Sequence, residues 1–133
     1  MLLPTPDTNA NETQSDDTIA ADAVSAVTIS VQPANSTSSS GAGTFTLTTS
    51  TSGTPGSLTY QWQRQTATGT RWTNVSASLD SGVTYSGGTT ATLSYSGLAD
   101  TALDGYKYRV KVTSAGGTEE VISDGAATLT FGT

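Results

Sequence analysis

The chain has 133 residues and a net charge of −6 at pH 7, is about one third serine and threonine, and contains neither cysteine nor histidine. This length suits one β-rich domain plus a short appendage, because threonine favours strands and the serine and glycine clusters favour turns. The missing residue types exclude a disulfide framework, the usual nucleophile and base pairs and soft metal sites, so we expect no enzymatic activity, no cofactor and no metal.

Much of the negative charge lies in the first segment of the chain. Residues 1–23 hold five carboxylates and no basic residue, which leaves −1 for the remainder. A segment so poor in aromatic residues cannot bury enough apolar area to order itself, and we predict an extended N-terminal arm that a partner orders. The predicted partner-binding residues are Leu2, Leu3, Pro4, Asp7, Glu12, Asp16 and Asp17. The alternative is that the arm packs on its own domain.

The opening residues also bear on where the protein is made. Residues 1–7 have no basic region and no long apolar stretch, so they do not resemble a signal peptide, and no run in the chain approaches a membrane span. We therefore expect synthesis in the cytoplasm, in keeping with the absence of cysteine. We expect no membrane partner, and the acidic net charge argues against nucleic acid.

The predicted domain, residues 24–133, begins with strands in which apolar and polar residues alternate. Side chains in a strand point to opposite faces in turn, so alternation of this kind marks one buried face. The residues predicted to point inward from the first two clear strands are Phe45, Leu47, Thr49, Leu58, Tyr60 and Trp62.

The second half of the domain repeats this pattern. Leu93, Tyr95 and Leu98 have the spacing of a strand and the turn that follows it. The run Asp104-Gly105-Tyr106-Lys107-Tyr108-Arg109-Val110 then opens a strand that continues inward at Val112. The pair Gly116-Gly117 predicts a tight hairpin through positive φ, and residues 127–131 form the predicted last strand.

Three of these pieces together carry a family resemblance. They are Tyr60-Gln61-Trp62-Gln63, Tyr106-x-Tyr108-Arg109-Val110 and Ala127-Thr128-Leu129. Over residues 24–131 the chain resembles the cysteine-free immunoglobulin-like (Ig-like) domains of tailed-phage virion proteins and bacterial surface proteins. The resemblance implies an all-β fold, an Ig-like Greek-key β-sandwich preceded by the arm.

The resemblance also implies roles for individual core residues. Trp62 corresponds to the core tryptophan, Tyr106 to the corner tyrosine and Tyr108 to the second cysteine, while the first cysteine would fall at Gly53. We predict that packing of Trp62 against Tyr108 replaces the disulfide.

Three basic residues share the outward parity of one strand. The predicted basic stripe consists of Lys107, Arg109 and Lys111, which alternate along the strand with the inward Tyr108 and Val110 and therefore point to its other face. The stripe should lie beside the outward face that carries Gln61, Gln63 and Gln65. We treat the stripe as a candidate interface for an acidic neighbour or a carbohydrate, and the alternative is a solvated face that keeps the protein soluble.

Two classes of function agree with these features. The first is a non-enzymatic virion structural protein of a tailed phage: a capsid decoration or cement protein, or a fibre subunit, anchored by the arm. Its expected partner is the major capsid protein or another virion structural protein, with further copies of the chain and a host-surface glycan as additional candidates. The second class is an adhesion or carbohydrate-binding module of a larger bacterial surface protein.

Overall fold

The computed structural model describes residues 25–132, and its regular structure is almost entirely β-strand, which confirms the all-β prediction. The strands are β1 (Ala26–Val31), β2 (Ser36–Ser38), β3 (Gly43–Thr46), β4 (Thr48–Ser52), β5 (Leu58–Gln65), β6 (Thr73–Asn74), β7 (Thr84–Ser86), β8 (Thr92–Ser96), β9 (Lys107–Ser114), β10 (Val121–Ile122) and β11 (Ala127–Phe131). A short 3-10 turn at Thr101–Leu103 precedes β9. The residues of the predicted arm lie outside the described part of the chain.

The strands form one large sheet and two smaller ones. The large sheet has the order β2-β11-β9-β5-β6, with β10 also paired to β9. The smaller sheets are β1-β4 and β3-β8-β7. Because β3 and β4 are separated only by Leu47, one stretch of chain takes part in both small sheets. All pairs are antiparallel except β2 with β11, which is parallel.

One hydrophobic core joins these sheets. Val110 and Val112 of the large sheet are fully buried, as is Leu93 of the small sheet opposite. Alternation along β9 is complete from Lys107 to Val112, since every second side chain is buried and those between are partly exposed. The period-2 pattern read from the sequence therefore corresponds to an inner and an outer face of the large sheet.

The predicted core aromatic residues lie at the centre of this core. Trp62 and Tyr108 have no exposed surface, and Tyr106 packs against the core while partly exposed. The Trp62 indole donates its Nε1–H to the Thr90 carbonyl at 2.7 Å, so its one polar atom is satisfied inside the protein. A buried indole needs such a partner, because an unpaired donor would keep its full desolvation cost.

The ring stacked on Tyr108 is that of Phe45, which corrects two predictions. Phe45 lies 4.6 Å from Tyr108 and 6.4 Å from Trp62, measured between ring centroids. Phe45 of β3 is therefore the residue that faces Tyr108, whereas Gly53, the predicted position of the first cysteine, is exposed and lies beyond the end of β4. The strand opposite Tyr108 is β3, whose inward residues come before Gly53 in the chain. Phe45 packs against both Trp62 and Tyr108, so three rings rather than the predicted pair lie together here.

The corner before β9 is closed by carboxylates. Asp100 accepts the Ala102 N–H at 2.9 Å and caps the 3-10 turn, and Asp104 accepts the Phe131 N–H at 2.7 Å. Within residues 25–132 the Tyr106 hydroxyl makes no hydrogen bond to the backbone, and the Arg64 guanidinium lies 5.5 Å from its ring centroid instead. Asp104 thus ties the corner before β9 to the end of β11.

The predicted glycine hairpin follows β9 but uses its two glycines differently. Gly117 has φ of 83°, which favours glycine, and its N–H bonds the Ser114 carbonyl. Gly116 is required for space, because a Cβ there would stand 2.5 Å from the Pro55 carbonyl oxygen.

Candidate functional site

The outward residues of β5 and β9 form two facing rows on the large sheet. The strand register places Lys107 opposite Gln65, Arg109 opposite Gln63 and Lys111 opposite Gln61. Each basic residue of the predicted stripe therefore has an amide side chain as its direct cross-strand neighbour. We call this surface, together with Trp72 and Asn74 beside it, the outer face.

Arg109 is the centre of the outer face. Its Nε donates to the Gln63 Oε1 at 2.8 Å, and the Gln63 Nε2 donates to the Asn74 Oδ1 at 2.9 Å. Gln63 is only 8% exposed, so this chain of side-chain hydrogen bonds is partly shielded from water. The result is an arginine held in one orientation by a fixed amide, which reduces the entropy lost when the guanidinium binds a ligand.

Trp72 completes the outer face and was not predicted as a site residue. The Arg109 guanidinium carbon lies 4.5 Å from the Trp72 ring centroid, a cation–π arrangement. The indole reaches as far as Gly125, where an added Cβ would lie 3.1 Å from its Cζ2. Gly125 also has φ of 72°, so any other residue there would be strained and would push against the indole. The available sequence signal was a tryptophan directly after a threonine- and glycine-rich loop.

The two lysines of the stripe differ in their surroundings. The Lys111 Nζ lies 3.8 Å from a Glu120 carboxylate oxygen, and both side chains are more than a third exposed. Such an exposed pair contributes about 0 to 1 kcal/mol. Within residues 25–132, Lys107 and Arg109 have no carboxylate partner. The uncompensated charge of the outer face is therefore concentrated at these two residues.

Replacing Lys107, Arg109 and Lys111 together by glutamine is expected to leave the fold intact. Each residue points outward, and changes at such positions usually alter the free energy of unfolding by no more than about 0.5 kcal/mol. Because Arg109 also contacts Gln63 and Trp72, it should account for most of any loss. Urea unfolding of the triple variant and of Lys107→Gln alone measures this. A total loss above about 3 kcal/mol would show that the stripe is part of the structural framework.

A second polar cluster lies inside the sandwich. Arg64 approaches Asp80 with its Nε at 3.0 and 3.1 Å from the two carboxylate oxygens and its Nη2 at 2.6 Å from Oδ1. The Tyr85 hydroxyl donates to Asp80 at 2.6 Å and lies 2.7 Å from the Tyr108 hydroxyl. This buried polar cluster, Arg64, Asp80, Tyr85 and Tyr108, joins the large sheet to β7 of the opposite layer.

The cluster perturbs the protonation of its members. Burial raises the pKa of Tyr85 well above its ordinary value of 10.0, with Tyr108 and Asp80 adding to the effect. Burial likewise raises the pKa of the Tyr108 hydroxyl. The hydrogen bond to Asp80 is the largest cause of the raised pKa of Arg64. In the folded protein both tyrosines are therefore neutral hydrogen-bonding groups well into the alkaline range.

Stability is expected to fall in alkali because of these tyrosines. Their pKa in the folded state exceeds the unfolded value of 10.0, so above about pH 10 the unfolded chain releases protons that the folded chain keeps. The stabilisation is fully present below pH 10, and roughly 1 to 3 kcal/mol should be lost per pH unit above it. Urea unfolding at pH 9 to 11.5 measures the slope. The double variant Tyr85→Phe, Tyr108→Phe should show a shallower slope, and an equal slope would contradict the assignment.

Among residues 25–132, no group of three or more metal-binding side chains is brought together. No helix in that part of the chain has the length and hydrophobicity needed to cross a membrane.

The predicted arm residues lie outside the described part of the chain. They are Leu2, Leu3, Pro4, Asp7, Glu12, Asp16 and Asp17. The chain matches no known family model, and no curated protein matches it.

Proposed function

We propose that this protein is a non-enzymatic, Ig-like structural protein of a tailed-phage virion. In this proposal it is a capsid decoration or cement protein or a fibre subunit, with residues 1–23 as its anchor and the sandwich projecting from the particle. The strand pairing supports the Ig-like assignment. The order β2-β11-β9-β5-β6 opposite β1-β4 and β3-β8-β7 agrees with the strand order of an Ig sandwich, and three aromatic rings lie where such a domain would carry its disulfide.

The chemistry of the outer face supports binding rather than catalysis. Its side chains are cations, amides and an indole, all of which can hold a ligand by contact and hydrogen bonds. Gln63 and Trp72 already hold the Arg109 side chain in place. A guanidinium held in this way is better suited to bind a ligand of complementary shape than to transfer a proton. A module that projects from the particle with such a face can bind a host surface without altering it chemically.

Charge supports the assignment of the arm as the anchor. Ser25, where the described chain begins, lies in a surface groove of about 180 Å³ whose lining includes Glu119 and Glu120. Lys111 offsets the charge of Glu120 only through an exposed pair at 3.8 Å, so the groove remains acidic and is a poor site for the carboxylates of residues 1–23. A basic groove on the major capsid protein or another virion structural protein is a better one, and such binding should weaken with salt.

Purified particles provide the test. Full-length protein is mixed with particles that lack it, beside the full-length variant Asp7→Asn, Glu12→Gln, Asp16→Asn, Asp17→Asn. We expect saturable occupancy for the wild type and at least about tenfold weaker binding for the variant, because several charge-assisted contacts are lost. The Lys107→Gln, Arg109→Gln, Lys111→Gln variant is the matched control and should keep full occupancy. Absence of the wild type from intact particles would refute the virion proposal.

A second candidate is an adhesion module of a bacterial surface protein. The fixed Arg109 beside a partly exposed indole favours it, because an adhesin needs a rigid recognition face. The two candidates differ in location. Antibodies against the sandwich should label phage particles in the first case and the surface of intact bacterial cells in the second.

A further inference from the structure

The strongest unassigned feature of the molecule is the patch of the outer face formed by Trp72, Asn74, Lys107 and Arg109, which we call the indole patch. We infer that the indole patch binds a carboxylated saccharide. This inference deepens the proposed function, on which it rests, by naming the class of host-surface ligand that a projecting sandwich would meet.

The charge of the patch indicates an anionic ligand. The whole chain carries a net charge of −6, yet Lys107 and Arg109 have no carboxylate partner within residues 25–132. Arg109 uses only its Nε for Gln63, so its terminal guanidinium nitrogens remain available for a bidentate contact with a carboxylate. Lys107 and Arg109 are two residues apart on one face of β9, about 7 Å along the strand, so adjacent groups of one ligand can reach both.

The indole indicates that the ligand also has an apolar surface. Trp72 is partly exposed, and the absence of a side chain at Gly125 allows the indole to lie close to the chain there. The exposed part of a flat aromatic ring suits the C–H face of a pyranose, whose hydroxyl groups remain free at the edges. The exposed Asn74, whose Oδ1 is taken by Gln63, keeps its Nδ2 donor for such a hydroxyl.

The position of the patch in the sheet disfavours a peptide. Strand β5 is paired on both sides, with β9 and β6, and β9 is paired with β5 on one side and with β10 and β11 on the other. The backbone hydrogen-bonding groups of β5 and β9 under the patch are therefore occupied. The edge strand β6 is only two residues long, so it offers a peptide little backbone on which to add as a further strand. Recognition by side chains is favoured instead, which suits a ligand that presents hydroxyl and carboxylate groups.

Calorimetric titration of the full-length protein tests the inference with two acidic probes, hexagalacturonate and a hexamer of α2,8-linked sialic acid. Maltohexaose is the neutral probe of matched length. We expect saturable binding to at least one acidic probe, weakening with added salt, and at least about tenfold weaker binding to maltohexaose. Arg109→Gln and Trp72→Ala should each weaken acidic-probe binding about tenfold or more. The double variant Thr44→Gln, Thr46→Gln, on the exposed side of β3, is the control and should bind as the wild type does.

Chemical-shift mapping of the wild type keeps the test independent of the folding of any variant. The Trp72 Nε1–H and Arg109 Nε–H signals should shift on addition of the bound acidic probe. Binding to neither acidic probe would overturn the inference, as would shifts confined to other residues. Equal affinity for a hexathymidylate and for the bound acidic probe would also overturn it, since the patch would then recognise negative charge rather than a saccharide. These outcomes are separable from the virion proposal, because particle occupancy of Arg109→Gln is measured without any saccharide.

Discussion

Replacing Trp62 by alanine is expected to destabilise the protein by about 3 to 5 kcal/mol, because it empties the centre of a small core. The Trp62 side chain has no exposed surface and packs against Phe45, and the change also leaves the Thr90 carbonyl without its indole donor. Nothing covalent can offset the loss, since the chain has no cysteine. Equilibrium unfolding in urea, followed by fluorescence and circular dichroism, gives the free energy directly.

Trp72→Ala is the matched control for this experiment, because it removes the same side chain from the outer face. Trp72 is partly exposed and contacts Arg109 rather than the core, so we expect a loss of about 1 kcal/mol or less. The difference between the two tryptophans is the informative quantity. Equal losses would mean that the inner and outer faces of the large sheet are wrongly assigned.

Replacing Asp80 by alanine is expected to have an effect of similar size, about 3 to 5 kcal/mol, because it leaves Arg64 as a buried charge without its partner. The side chains of Arg64 and Asp80 are 15% and 7% exposed, so water can compensate little. The Tyr85 hydroxyl would lose its acceptor in the same step. Urea unfolding at pH 7 measures the loss.

Two further variants separate the causes of this loss. Glu120→Ala removes the carboxylate of the exposed pair with Lys111 and should cost about 0 to 1 kcal/mol. The double variant Arg64→Met, Asp80→Leu replaces both buried charges by apolar groups and should be more stable than Asp80→Ala alone, because no unpaired charge remains. A double variant less stable than Asp80→Ala would indicate that the ion pair itself, rather than the penalty of an unpaired arginine, stabilises the sandwich.

The stripe illustrates how a local pattern can place functional residues. Outward parity along β9 and β5 follows from the two-residue period of a strand, so Lys107, Arg109 and Lys111 could be assigned to one face, next to the glutamines, from sequence alone. The same two-residue period places Arg64 on the inner face, because Arg64 stands two residues after Trp62, and the structure shows that it points inward. A charged residue is ordinarily exposed, so the residue type argues against an inward Arg64, and only the buried carboxylate of Asp80 makes that position stable.

The sequence by itself determined the features of this protein that depend on local periodicity: an all-β fold, the alternation that buries Trp62 and Tyr108, and the outward basic stripe. Only the tertiary structure decided which residues meet across the layers. Phe45 stacks on Tyr108 and Asp80 pairs with Arg64 because the two sheets bring distant segments together. Trp72 joins Arg109 because the loop before β6 folds over the large sheet. Side-chain parity repeats every two residues and can be read from the chain, whereas these contacts depend on strand order and loop path, which no local pattern encodes.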